Sequence, residues 1–305
     1  MCAPAAASAG SARYHGAEMS STEPTELSEE GDPGVEPPAG APWDLPFEDC
    51  PFVFIDCEMT GLDPERDGLV EVAAQRVRGG VSEARFASLI SSGVASHPDA
   101  LAVHGITDAQ AAEGPSFARV AGELGDILDG AVPVMHDAGM DAAFLDRAFA
   151  EAGSSRRVGA CVDTLLLARR AVKAGRYGLG SLCESLDLPR ARWHRATEDV
   201  AALRALWTPL VERLRPVSAR DLWQVRVGQS GRVRVRDSIA SSFAESAGRK
   251  RLLSVFYRTP GREPVTLRAR VERWSPPHVW LVPEGRGSRG LRVLRADRVL
   301  HAVAV

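Results

Sequence analysis

A short, strongly apolar segment at Phe52–Asp56 ends in an acid, and a second acid, Glu58, follows two residues later. An apolar run of this length, bounded by turn residues, predicts a buried β-strand. Side chains two positions apart on a strand point to the same side, so Asp56 and Glu58 share one face. Acids held together at the end of an apolar strand are costly unless cations neutralise them. The pattern therefore favours a fold in which this strand end borders a cation site.

Two further acids and a histidine follow later in the chain, in an order that suits the same site. Asp141 and Asp199 each stand near the start of a predicted helix, and His194 precedes Asp199 by five residues. Taken singly, each acid is more typical of a helix cap or a first-turn position, and the histidine of a surface position. Taken together with the acids of the first strand, they predict a cluster at the carboxyl edge of a sheet.

Such a cluster suits the hydrolysis of phosphodiesters. Carboxylate oxygens are hard ligands, which favour magnesium or manganese over zinc. Two such ions roughly 3.5–4 Å apart can activate a water molecule and stabilise the leaving oxygen. His194 would accept the proton of that water, because imidazole titrates near neutral pH.

The remaining pattern predicts an α/β domain with a mixed sheet, followed by a small, mainly β domain. Residues 1–45 contain few large apolar side chains and are predicted to be a disordered tail. The first domain spans 46–215, a linker with possible strands spans 216–237, and the β domain spans 238–305. The predicted strands are Phe52–Asp56, Leu69–Val77, Glu83–Ile90, Val132–Met135, Arg251–Tyr257, Val265–Trp274, His278–Val282 and Leu291–Leu294. The predicted helices include Ser116–Leu128, Asp141–Ala152, Leu179–Leu186, Ala196–Leu214 and Ser238–Ala247.

Residues 52–214 resemble the DEDDh family of 3′–5′ exonucleases, the family of the DNA polymerase III proofreading subunit and oligoribonuclease. The resemblance rests on three motifs: Ile55–Pro64 (Ile-Asp-Cys-Glu-Met-Thr-Gly-Leu-Asp-Pro), His136–Asp141 (His-Asp-Ala-Gly-Met-Asp) and His194–Asp199 (His-Arg-Ala-Thr-Glu-Asp). It implies a ribonuclease H-like mixed sheet flanked by helices. Asp137 departs from the usual asparagine of the family and adds a negative charge beside the site.

The same resemblance implies individual roles. Asp56, Glu58 and Asp199 correspond to direct metal ligands, Asp141 to a more distant ligand, and His194 to the general base. It further implies that Met59, Thr60, His104 and Ile106 line the 3′-terminal nucleotide, and that His136 is structural.

Residues 238–305 resemble, more weakly, the WYL domain of bacterial regulators. The resemblance lies in the helix Ser238–Ala247, the segment Leu252–Tyr257, the triplet Val279–Leu281 and the closing segment Arg289–Arg298. It implies a small β-barrel that senses nucleic acids or nucleotides.

The charge distribution is uneven. Residues 220–305 contain 18 basic and 7 acidic residues, a net charge of +11, whereas residues 1–51 have a net charge of −9. A basic segment suits an anionic partner such as nucleic acid, or simply a soluble arginine-rich surface. Arginines near Tyr257, Trp274 and Trp280 could hold phosphates while the rings stack on bases, or the rings could fill the domain core.

Other sequence features bear on the cellular compartment in which the protein works. The five cysteines form no CxxC pair, and no apolar run reaches the length of a membrane span. The N-terminus lacks a basic region followed by an apolar core, so no secretory signal is predicted. These features suit a reducing compartment, and we expect a cytoplasmic protein.

The leading hypothesis is a 3′–5′ exonuclease that uses two magnesium or manganese ions on single-stranded DNA or RNA ends and releases nucleoside monophosphates. One alternative is a non-catalytic regulator that only binds nucleic acid. Another is a proofreading subunit within a polymerase complex, so a polymerase or repair partner is possible. The sequence leaves the choice between DNA and RNA and the oligomeric state open, because recognition of the 2′-hydroxyl depends on three-dimensional contacts.

Overall fold

A five-stranded mixed sheet organises the first part of the protein. The structure is a computed structural model that describes residues 35–189, 194–225, 234–249, 251–285 and 290–305. The strands are β1 (Phe52–Met59), β2 (Leu69–Arg78), β3 (Val81–Leu89), β4 (Val132–Met135) and β5 (Val162–Asp163). They lie in the order β3-β2-β1-β4-β5. The pairs β1–β2 and β2–β3 are antiparallel, and β1–β4 and β4–β5 are parallel, which confirms the predicted mixed sheet.

Helices cover both faces of this sheet. They are α1 (Pro98–His104), α2 (Asp108–Ala112), α3 (Phe117–Leu128), α4 (Ala138–Glu151), α5 (Thr164–Ala171), α6 (Leu179–Ser185), α7 (Ala196–Leu214) and α8 (Ala219–Trp223). Phe52 and Phe54 pack in one core with α7, whereas Val53 and Ile55 pack in a second core with α3 and α4. This alternation follows from the two-residue period of a strand. Asp56 and Glu58 therefore continue the face that α7 covers.

A second five-stranded sheet follows the helix α9 (Asp237–Arg249). Its strands are β6 (Leu252–Tyr257), β7 (Val265–Ser275), β8 (His278–Pro283), β9 (Arg292–Arg295) and β10 (Val299–Ala304). They are antiparallel in the order β10-β6-β7-β8-β9, and Ile239 and Phe243 of α9 pack in the core beneath them. The expectation of a barrel is wrong for the described strands, because β9 and β10 are open edges rather than partners.

The aromatic side chains of this sheet divide between its two faces. Tyr257 and Trp274 pack against the core, with the Trp274 ring 5.3 Å from that of Phe243. Trp280 instead lies beneath the guanidinium of Arg273, 3.8 Å from the ring centroid. Core packing therefore accounts for two of the three aromatic side chains considered from the sequence, and Trp280 remains a candidate for ligand contact.

Buried arginines join the second sheet to the first part of the fold. Arg236 pairs with Asp221 of α8, and both side chains are only 3% exposed. Its Nη1 donates to the carbonyls of Leu214 and Leu300, at 2.8 and 2.6 Å. Arg258 donates to the carbonyl of Arg169 near the end of α5, at 2.7 Å. These contacts satisfy carbonyl groups near the ends of α5 and α7, where no intrahelical donor is available.

The segment before β1 differs from the expectation. Residues 35–45 belong to the predicted disordered tail, yet Trp43 is 3% exposed and packs in the core under α7. Arg220 also donates to the carbonyl of Pro37 at 3.1 Å. A single tryptophan buries enough apolar surface to anchor a segment that is otherwise rich in proline and glycine.

Some expectations fall outside the described part of the chain. Residues 1–34 of the predicted tail, most of the possible strands at 225–236, and Arg289 of the WYL-like segment belong to this group. Within the described ranges, no helix has the combination of length and hydropathy that a membrane span requires.

Candidate active site

The end of β1 brings Asp56 and Glu58 to the edge of the first sheet. Glu58 is directly opposite Glu71 of β2, and the register shifts immediately after it, between Glu58 and Met59. Asp56 is half-buried, and Glu58 is 9% exposed. Both carboxylates thus lie in a largely desolvated position, as the apolar strand before them requires.

The start of α7 brings Asp199 and His194 to the same edge. Asp199 lies in the first turn of the helix, where the helix dipole stabilises a carboxylate. The backbone N–H of His194 donates to Asp199 Oδ2 at 3.0 Å, and His194 has a left-handed φ of 67°. Ligand atoms of Glu58, His194 and Asp199 lie within 4.8 Å of one another. His194 is exposed, so it is accessible to water.

The start of α4 supplies Asp141. This helix begins at Ala138, three residues earlier than predicted, because the buried carboxylate of Asp163 accepts hydrogen bonds from the N–H groups of Asp137 and Ala138. Asp137 has a φ of 61°, a left-handed conformation that asparagine and aspartate tolerate better than most residues. Asp141 is buried in the first turn, and a hydrogen bond from the backbone of Cys57 ties it to β1.

The four acids affect one another strongly. Burial, followed by repulsion from Asp141, Asp199 and Glu58, raises the pKa of Asp56 well above its usual value. Burial and the charge of Asp199 raise the pKa of Glu58 to about 8. Burial and the charges of Glu58 and Asp137 raise the pKa of Asp141 to about 8. These raised pKa values indicate that the cluster carries negative charge which the described side chains do not neutralise.

Glu71 and Arg195 complete the site, and sequence reasoning missed both. Glu71 is 5% exposed, and its carboxylate accepts hydrogen bonds from Arg195 Nη2 at 2.6 Å and Arg195 Nε at 3.1 Å. It also accepts the N–H of Ala196 at 2.9 Å, so it fixes the first residue of α7 to β2. An acid within the apolar strand Leu69–Val77 was the available signal.

The donor set fits a divalent cation. Asp199 Oδ1 is buried and has no hydrogen-bond partner among the described residues. A buried carboxylate oxygen without a partner is costly, and a cation would remove that cost. The neighbouring donors are carboxylate oxygens and one imidazole, a set that divalent metals accept.

A cleft of about 700 Å³ opens beside Glu58. Met59 and His104 line it, together with two exposed apolar side chains that were not predicted, Leu62 (80% exposed) and Val103 (52%).

The other two predicted substrate contacts lie elsewhere in the described structure. Thr60 is fully buried, and its hydroxyl accepts the N–H of Gly68 at 2.9 Å within the loop between β1 and β2. Ile106 packs with Val70 and Ala111 in a small cluster of its own. These contacts indicate that both side chains stabilise loops and do not line the cleft.

A comparison with protein families decides the assignment of the first domain. A family model described as RNase_T, Exonuclease, matches residues 53–206, which is half of the chain. The chain belongs to this exonuclease family. The match confirms the family that the three motifs indicated, and it includes every acid of the cluster together with His194.

Several curated proteins resemble this exonuclease domain. The chain is 33% identical over 169 residues to DNA polymerase III PolC-type of Oceanobacillus iheyensis, covering 55% of this chain and 12% of that protein. It is 26% identical over 242 residues to DNA polymerase III PolC-type of Staphylococcus aureus, covering 75% of this chain and 17% of that protein. The chain therefore spans less than a fifth of the length of these relatives.

Solved structures of Escherichia coli exonuclease I share the fold. The zinc-bound complex with single-stranded DNA matches with a TM-score of 0.52 and 14% identity, covering 84% of this chain and 64% of that one. The complex with a dA16 oligonucleotide gives a TM-score of 0.50 and 13% identity over the same shares. Because 84% of the chain exceeds the exonuclease segment at 53–206, the likeness in fold extends beyond the exonuclease domain.

His136 of the exonuclease domain has the surroundings of a structural residue. Its Nδ1 lies 2.9 Å from Thr164 Oγ1, and its Nε2 lies 2.8 Å from the carbonyl of Tyr177. Both ring nitrogens are therefore engaged within the fold, and burial lowers the pKa of this histidine.

Proposed function

We propose that the protein is a metal-dependent 3′–5′ exonuclease that hydrolyses single-stranded nucleic-acid ends and releases nucleoside monophosphates. The observation that carries this proposal is the convergence of four carboxylates and one exposed imidazole at a sheet edge, with one buried carboxylate oxygen left without a partner among the described residues. Membership in the exonuclease family supports the reaction type.

Each acid has a distinct part in this proposal. Asp56, Glu58 and Asp199 would hold the cations directly, and Asp141, which lies at the start of α4, would act from a greater distance. Two magnesium or manganese ions, when bound, would polarise the phosphodiester and stabilise the oxygens of the attacking and leaving groups. The oxygen-rich donor set supports these metals over zinc.

His194 would act as the general base. Its ring is exposed, and its backbone is fixed to Asp199 by the 3.0 Å hydrogen bond described above. A ring in this position can take a proton from a water molecule that approaches the acid cluster from solvent. Imidazole suits this step because it changes protonation near neutral pH.

The cleft beside Glu58 would hold the 3′-terminal nucleotide. Met59, Leu62 and Val103 offer apolar contacts for a base, and exposed apolar side chains at the rim of a pocket commonly mark a ligand site. His104 also lines the cleft, and its Nδ1 accepts the N–H of Ile106 at 3.0 Å, which orients the ring.

The outer face of the second sheet would help to retain the strand. Arg273 stacks on Trp280, and the ring of His278 lies 6.1 Å from that of Trp280. Base stacking on aromatic rings beside arginine is a common mode of single-strand binding.

The direct test is a degradation assay with labelled single-stranded DNA, RNA and short oligoribonucleotides, with magnesium and then manganese. We expect stepwise release of mononucleotides from the 3′ end, abolished by EDTA and by Asp56→Asn. The matched control is Asp49→Asn, an exposed acid before β1. Binding of these strands without any cleavage would instead support a non-catalytic regulator.

A proofreading role is the second candidate, because the curated relatives named above are PolC-type DNA polymerases. This role predicts preferential removal of a mismatched 3′ nucleotide and retention of the protein by a replicative polymerase. Equal rates on matched and mismatched primer ends, with no polymerase binding, would exclude it.

A further inference from the structure

A second cleft, of about 530 Å³, is lined by residues of α7 and of the strands β2 and β3. It is distinct from the nucleotide cleft beside Glu58, with which it shares no lining residue. Ala73, Ala87, Ala201 and Ala205 are among its lining residues. Small side chains on both walls keep this groove open between the sheet and the helix.

Two arginines line this groove from opposite walls. Arg85 is exposed on β3, and Arg204 is half-buried on α7. Neither has an ion pair or a hydrogen bond within the described part of the chain, whereas Arg76 and Arg78, on the neighbouring strand, both pair with Glu83. Burial and the charge of Arg85 lower the pKa of Arg204, so the two cations repel each other. An anion between them would relieve this repulsion.

The groove begins beside the catalytic elements. Thr197, in the first turn of α7, belongs to its lining, and Asp199 lies two residues further along the helix. Arg204 is five residues beyond Asp199, a rise of about 7.5 Å along the helix axis. Five residues also turn the helix by about 140°, so a strand whose end lies at the acid cluster reaches Arg204 only after passing around the first turns of α7.

We propose that the groove between Arg85 and Arg204 binds backbone phosphates of the strand whose 3′ end occupies the active site. This inference rests on the proposed exonuclease function and adds a substrate contact to it. Charge complementarity supports a nucleic-acid strand, because paired guanidinium groups match phosphate oxygens in both charge and geometry. The small side chains leave room for a backbone to lie along the groove.

The test compares the full chain with the double variant Arg85→Gln/Arg204→Gln on a dinucleotide and on single strands of increasing length. We expect unchanged turnover of a dinucleotide without a 5′ phosphate, because its only phosphate is the scissile one at the acid cluster and none is left for the groove. For long strands we expect KM to rise roughly ten-fold or more for each guanidinium removed. The dependence of binding on salt should also weaken, by a slope of about 0.7 for each phosphate that the protein no longer neutralises.

Two control variants guard against a general effect of charge or folding. Arg119→Gln removes an exposed arginine from α3, on the other face of the sheet, and should leave every substrate unaffected. Arg85→Lys/Arg204→Lys keeps both charges but not the guanidinium geometry, so it should keep the salt slope while losing part of the affinity for long strands. Thermal unfolding of each variant checks that the fold is intact.

The outcomes separate this proposal from the proposed function. Unchanged KM and salt slope for long strands would overturn the groove proposal. An equal loss of activity on the dinucleotide and on long strands would overturn it as well. Binding of a labelled long strand is also measured in the Asp56→Asn background. If the wild-type chain cleaves nothing, and strand affinity still falls when the two arginines are replaced, the groove proposal stands and the exonuclease proposal does not.

Discussion

At the scale of single residues, the site is dominated by negative charge that the fold does not neutralise. Glu58 and Asp141 have pKa values raised to about 8, and the pKa of Asp56 is raised as well, with burial the first cause in each case. Arg195 lowers the pKa of Glu58 but does not cancel this shift. Protons or divalent cations must therefore supply the missing positive charge.

This charge predicts how the stability of the metal-free protein depends on pH. The unfolded chain releases carboxyl protons near pH 4, whereas folded Glu58 and Asp141 release theirs at about pH 8. Between these values the native state binds more protons, so the free energy of unfolding falls as pH rises. Buried histidines with lowered pKa values act in the opposite direction, but only below about pH 6.5.

The measurement is Tm in EDTA from pH 6.5 to pH 8, and we expect it to decrease through this window. Added magnesium should reduce the decrease, because a cation replaces the protons. The variant Asp56→Asn/Glu58→Gln should show a flatter profile without metal. A rise in Tm across the same window in EDTA would contradict the charge balance described here.

His194 predicts a separation of metal binding from turnover. We expect His194→Ala to lower kcat about 10²–10⁴-fold, the usual contribution of a general base. Manganese affinity, followed by titration calorimetry, should change little, because the three carboxylates remain. Asp49→Asn, the exposed acid before β1, serves again as the control. A loss of metal affinity as large as that of Asp56→Asn would identify His194 as a ligand instead.

At the scale of elements, the active site depends on how helix starts are fixed to strands. Glu71 of β2 holds the start of α7 through Arg195 and Ala196. Asp163 of β5 holds the start of α4. Each acid is distant in sequence from the helix that it positions, and each positions a first turn that carries one of the clustered acids.

The Glu71 contact predicts a loss of function without contact with substrate. Glu71→Gln weakens the ion pair that positions His194 and Asp199, so we expect metal affinity or kcat to fall about 10–100-fold, as for other groups that orient ligands. KM for a dinucleotide should stay nearly constant, because the nucleotide cleft does not include Glu71. Glu272→Gln, an exposed acid of β7, is the matched control. A change in KM alone would argue against a positioning role.

The element scale also shows what the sequence could predict. The strand β1 and the helix α7 follow from local apolar patterns, and α7 begins and ends at the predicted residues Ala196 and Leu214. The start of α4 was misplaced because it depends on Asp163, and the role of Glu71 was missed because its partner Arg195 is 124 residues away. The acids of the site were recognisable because acids at the end of an apolar strand are costly without cations. The residues that position them could not be recognised, because they act through tertiary contacts.

At the scale of the whole described molecule, buried charge links the two sheets. Arg236 and Asp221 are both 3% exposed, and Arg236 also bonds the carbonyls of Leu214 and Leu300. Local patterns gave no sign of this pair, nor of the burial of Trp43 or of β10, because each depends on a partner in another part of the chain. The second sheet is open and not the expected barrel, because the pairing of its strands also depends on contacts between distant parts of the chain.

This linkage predicts a large cost for removing one partner. Asp221→Asn leaves the Arg236 guanidinium buried without a counter-charge, so we expect a loss of about 3–5 kcal/mol in the free energy of unfolding. Lys173→Gln, which breaks a surface pair with Glu263, should cost about 0–1 kcal/mol. Urea unfolding of both variants provides the comparison. Equal effects would show that the buried pair does not contribute to the linkage.

The most direct measurement for the whole account is a crystal structure of the protein with manganese and a mononucleotide, with manganese located by anomalous scattering. We predict two anomalous peaks among Asp56, Glu58 and Asp199, with the phosphate beside them and the imidazole of His194 facing it. The crystal must be grown at a manganese concentration at which the protein cleaves a strand. Ordered acid side chains with no anomalous peak between them would then contradict the account.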